Sequence, residues 1–167
     1  MKAYKRILVP SVSACPSTAQ LARCSEIATA GGGEARVMQF IDSGSGFEPD
    51  GPAGVFPDEL AARKVPAARR RLELLLARNR LGWVRSAVSH GDPRVLLAIA
   101  LAEWPPDLVI VSSGWGHTRW VESAARAAGI AIPDILGVKA DGLLGRLLGG
   151  MLPNTMPRAH HSLHDAM

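Results

Sequence analysis

The chain has 167 residues, enough for one domain of ordinary size with a short appendage. Apolar residues make up 47% and charged residues 20%, which excludes a disordered chain. No apolar run reaches the roughly 18 residues that a membrane-spanning helix needs. Nineteen basic against fifteen acidic residues leave +4, an excess that identifies a nucleic-acid binder only when it is gathered on one face.

Residues 4–12 (YKRILVPSV) form a short apolar, β-branched run ending in small polar residues, the pattern of a buried strand entering a loop. The same start mimics a lipoprotein leader, with Lys2, Lys5 and Arg6 ahead of Ile7-Leu8-Val9 and a Val12–Cys15 box. That apolar run is very short and is broken by Pro10, so the strand reading is taken. Pro16 suits a first helical turn; Leu21, Cys24, Ile27 and Ala28 recur at helical spacing, and Gly31-Gly32-Gly33 ends the helix. A second strand follows at 35–42, completing a βαβ unit. Residues 43–57, rich in Gly and Pro, make the longest loop.

From Asp58 to about Arg80 the spacing of Leu60, Ala68, Leu72, Leu75 and Leu76 is helical, and Pro66 is expected to kink or divide that helix. A third strand covers 83–89. Asp92 then caps and Pro93 starts a third helix, which runs through Trp104 to a Pro105-Pro106 stop. The run DLVIV at 107–111 is nearly all apolar, as befits a strand covered on both faces. A small glycine-containing loop (112–117), a helix (118–128) and a last strand (130–138) follow, and Pro133 places that strand at a sheet edge or marks its start. The alternation predicts an α/β domain over residues 1–140: a doubly wound, five-stranded parallel sheet with helices on both faces. Residues 141–167, leucine- and glycine-rich and then histidine-containing, are expected to be a flexible tail.

Three stretches carry a resemblance: Tyr4-Lys5-Arg6-Ile7-Leu8-Val9-Pro10, Gly91-Asp92-Pro93 with the helix run Val95–Ala100, and Asp107–Val111 with the loop, helix and strand after it. In order and spacing they resemble the universal stress protein family, across about residues 3–139. The resemblance implies a HUP-type, nucleotide-binding-like fold and a non-enzymatic, cytoplasmic stress-response protein. In ATP-binding members the first strand ends in Asp, and a G-x2-G-x9-G-[ST] loop wraps the phosphates through its backbone amides. Here the early Asp falls on Val12. Counted from Asp107, the glycines fall on Ser112 and Trp115 and the closing pair on Ala125-Arg126. The chain therefore resembles the UspA-like branch that lacks the motif, and no ATP or other cofactor is expected. Nucleotide binding through an altered loop, with Ser112, Ser113, Gly114, Gly116 and Arg126 as the binding residues, is the alternative. The resemblance also implies a homodimer paired through the last strand, with Ile132, Ile135, Leu136 and Val138 at the interface and an unknown protein as further partner.

The remaining candidates are weaker. His160, His161 and His164 form an H-H-x-x-H run without Cys or Glu neighbours, better read as solvated tail than as metal ligands. Ser112 and Ser113 end a central strand near His117 and His90, but no G-x-S-x-G elbow or orienting acid accompanies them, so no enzymatic activity is expected. Cys15 is a redox-sensitive thiol only if its pKa is depressed; two lone cysteines fit a reducing cytoplasm. The basic run Arg63, Lys64, Arg69, Arg70, Arg71, Arg78, Arg80 and Arg85 reads as a solvated face. An acidic partner, or an anionic membrane reached together with the 143–152 segment, is its alternative. No nucleic acid is expected, and membrane association is disfavoured.

Overall fold

The structure, a computed structural model, describes residues 2–42, 57–113 and 116–139. In chain order the elements are β1 (Arg6–Val12), α1 (Thr18–Gly31), β2 (Glu34–Ile41), α2 (Pro57–Arg78), β3 (Arg85–His90), α3 (Pro93–Glu103), β4 (Leu108–Ser112), α4 (His117–Ala127) and β5 (Asp134–Val138). The strands form one sheet in the order β3-β2-β1-β4-β5, and every neighbouring pair is parallel.

Alternation along the strands feeds two cores. Ile7 and Val9 of β1, Val37 of β2 and Ile110 of β4 face α1 and α2, where Leu21, Cys24, Leu72 and Leu76 are buried. Leu8, Phe40, Val109 and Val111 face the other way, against Leu97 and Leu101 of α3 and Val121, Ala124 and Ala125 of α4. A strand with helices on both sides has no polar face, and this is why DLVIV reads as a continuous apolar run.

The local signals differ from the sequence reading at three places. Helix α1 begins one turn-residue later than Pro16: Ser17 is its cap, with its side chain accepting from the Gln20 amide while Gln20 reaches back to the Ser17 N–H. Helix α2 runs for 22 residues through Pro66 and is not divided there. Pro66 removes the donor for the Ala62 carbonyl, but both residues are exposed, so water is free to donate to that carbonyl in place of the missing N–H. Strands β3 and β5 start later than their apolar runs, β5 immediately after Pro133.

The order β3-β2-β1-β4-β5 places the reversal of winding between β1 and β4. The β1–β4 ladder is formed at Ile7–Leu108 and Leu8–Val109 and stops before Pro10, which has no N–H to contribute. Beyond that point the two strands part, leaving a crevice at their carboxyl ends. The tail expected at 141–167 lies outside the described residues. Among those described, no helix is long and apolar enough to cross a membrane.

Candidate functional site

The crevice opens into a cleft of about 800 Å³ between the start of α3 and the length of α4, from Gly116 to Ala127. Val12, the last residue of β1, forms part of its floor and is 38% exposed. Asp42 follows β2 at the same edge, Asp92 and Arg94 come from the start of α3, and His117, Arg119 and Trp120 come from the first turn of α4. The cleft is therefore amphoteric, with a basic contribution from both helix starts. Gly116 caps α4 at φ 102°, a conformation that favours glycine, and supplies no side chain to the helix amides. Those amides are thus left for solvent or a ligand.

Behind the cleft lies a smaller hollow of about 200 Å³, reached past His117, Trp120 and Val12, which line both. Cys15, Ser17, Gln20 and Ser112 face it. Trp120 is fixed by an edge-to-face contact with Phe40, ring centroids 6.2 Å apart. Ser112 Oγ stands 3.5 Å from His117 Nε2, at the outer limit of a hydrogen bond, and His117 Nδ1 is enclosed without a partner among the described residues. Among the described residues no carboxylate hydrogen-bonds the imidazole, so within them the pair lacks the third member of a nucleophilic triad.

Cys15 Sγ contacts Gln39 Oε1 at 3.6 Å, and Gln39 Nε2 donates to the Ser13 carbonyl at 3.3 Å. Burial raises the Cys15 thiol pKa, with the Arg71 charge opposing it in part. The depressed pKa that a reactive thiol requires is absent here.

The structure spreads the sequence candidates rather than gathering them. Gly116 lines the cleft and Ser112 the smaller hollow. Ser113 is exposed on the β5 side, its amide donating to the Val138 carbonyl at 2.7 Å. Arg126 lies in the last turn of α4 and pairs with Glu122 at 3.4 Å, away from the helix start. Gly114 and Trp115 lie outside the described residues, as do His160, His161 and His164. His90 ends β3, three strands across the sheet from Ser112 of β4, roughly 14 Å at ordinary strand spacing. Among the described residues no three metal-ligating side chains cluster. Sequence reasoning missed Arg94 and Arg119 in the cleft, because neither belongs to a motif; the only available signal was that each follows a helix start.

Of the interface candidates, Ile132 precedes β5 and is 48% exposed. Ile135 packs partly on the α3–α4 core, while Leu136 and Val138 pack partly on the α1–α2 core. Strand β5 ends the sheet, and a shallow depression lies between Leu136, Val138 and the Ala19–Ala22 side of α1.

No family model matches the sequence, and no curated protein matches it. Solved structures do match. The hypothetical protein MJ0577 superposes with a TM-score of 0.61 at 17% identity, over 84% of this chain and 99% of that one. A universal stress protein family member from Burkholderia pseudomallei gives 0.54 at 22% identity, over 82% and 97%. The universal stress protein UspA from Lactobacillus plantarum gives 0.51 at 18% identity, over 83% and 100%. The chain has the five-stranded parallel α/β fold of the universal stress protein structures.

Proposed function

We propose that the chain is a universal stress protein of the branch that works without ATP: a non-enzymatic, cytoplasmic, homodimeric module that regulates a protein partner. The observation that carries this reading is the make-up of the cleft. A phosphate cradle needs bare backbone amides and, by the family resemblance, an acid at the end of β1. This cleft has Val12, not an acid, at that strand end, and His117 and Trp120 put bulky side chains into the space beside the start of α4. The dimer is supported by the outer edge of β5, which pairs with no strand among the described residues, and by half-covered Ile135, Leu136 and Val138, which gain from a second strand. Denaturing the purified protein and chromatographing the supernatant tests the first part. Absence of adenine nucleotide is expected, and stoichiometric nucleotide overturns the reading.

A nucleotide-dependent switch is the second reading, favoured by Arg94 and Arg119 flanking the uncapped start of α4. On that reading these two arginines, nearer the helix start than Arg126, supply the phosphate charge. Arg119→Ala then weakens nucleotide binding at least tenfold, the usual scale for losing a charge-assisted bond.

A further inference from the structure

The positive charge of the helices is concentrated on α2. Helices α1 and α3 each balance one arginine against one glutamate, and α4 carries two arginines against one glutamate. Helix α2 carries six cations against three acids. Lys64, Arg71 and Arg78 recur at seven-residue steps, two helical turns, and so form one row about 21 Å long. All three are exposed. No acid stands three or four positions from any of them, whereas Glu59 and Glu73 stand beside Arg63, Arg69 and Arg70. The ion pairs among the described residues leave this row without an acidic partner. Glu26 of the neighbouring α1, which shares a hollow with Asn79 and Leu81, already holds Arg23 at 2.6 Å. One turn from Arg70, Arg71 and Arg78, Leu74 stands 56% exposed.

We propose that this face of α2 docks the protein on an anionic phospholipid surface. Leu72 and Leu76, with Val65, Ala68 and Leu75 partly buried beside them, pack against the sheet, so the row runs along the flank of the buried face and only the outer part of the helix is free. A plane of headgroups needs no more than that, whereas direct reading of base edges also draws on Asn, Gln, Ser or Thr, none of which α2 carries. An acidic protein partner is gripped through a central apolar or aromatic cluster. Leu74, the large apolar side chain exposed on α2 among the described residues, has Arg70, Arg71 and Arg78 one turn away, the arrangement that seats charge on headgroups with an apolar group at the boundary.

Co-sedimentation of the full chain with phosphatidylcholine vesicles, with and without phosphatidylglycerol, tests this. Binding is expected only to the anionic vesicles, and it is expected to fall with salt. The triple variant Lys64→Gln/Arg71→Gln/Arg78→Gln is expected to bind about 100-fold more weakly, at roughly 5-fold per cation removed. A chain that stays in the supernatant with anionic vesicles overturns the proposal. So does a folded triple variant that pellets as well as the parent. Tighter binding to short duplex DNA than to anionic vesicles, at equal phosphate and salt, overturns it in favour of a nucleic-acid partner.

Discussion

At Gly33 the connection from α1 to β2 passes against the backbone of Tyr4 and Lys5, just ahead of β1. A β-carbon there would overlap the Tyr4 carbonyl oxygen and sit 3.1 Å from that of Lys5. Both neighbours are backbone atoms and cannot rotate away. Gly33→Ala is therefore expected to destabilise the fold by roughly 1–3 kcal/mol, the scale of overpacking, and an unchanged thermal midpoint would contradict the close approach. The triple glycine was legible in the sequence as a helix stop, and Gly32, at φ 58°, performs that role. The need for Gly33 was not legible, because it depends on a strand that lies far away in sequence. Cys24 offers a second test at this scale. Burial pushes its thiol up from 9.0 to about 11. Between these values the unfolded chain releases a proton that the folded chain retains, so stability falls as pH rises through that window. The loss attributable to Cys24 is roughly 3 kcal/mol. Denaturant titrations of the parent and of Cys24→Ala at neutral and alkaline pH are expected to show a smaller alkaline loss in the variant; equal losses would contradict the buried thiol.

Among the elements, β5 carries the most consequence. It is held to the body by the β4 ladder and by Asp134, which accepts from Lys2 at 2.6 Å and from the Tyr4 hydroxyl at 2.9 Å. Among the described residues its other edge pairs with no strand. Leu136→Asp is expected to shift sedimentation from dimer to monomer, since a carboxylate placed at a pairing surface loses its water on association. A full dimer in the variant would remove β5 from the interface. The elements themselves were largely readable from periodicity. Pro133 signalled a sheet edge or a strand start, and β5 is an edge strand that begins just past it. Pro16 and Pro66 turned out differently because local context decided: a better cap at Ser17, and an orphaned carbonyl exposed to water, which leaves α2 undivided.

For the whole molecule, sheet order turns a list of strands into a site. The winding reverses between β1 and β4, and the crevice there brings together Val12, Arg94, His117 and Arg119, which are scattered over more than a hundred positions of sequence. The sequence pointed to that end of the sheet through Val12, Ser112 and Gly116. It could not show that Arg126, nine residues beyond the start of α4, belongs to the opposite end of that helix. Charge likewise acquires meaning only with the fold: a modest overall excess becomes an acid-free row because helical spacing aligns Lys64, Arg71 and Arg78. The central claim, that the cleft works without ATP, is tested most directly by calorimetric titration of nucleotide-free, folded protein with ATP and magnesium. The account predicts no heat of binding; saturable, stoichiometric binding would contradict it and make the start of α4 a phosphate site.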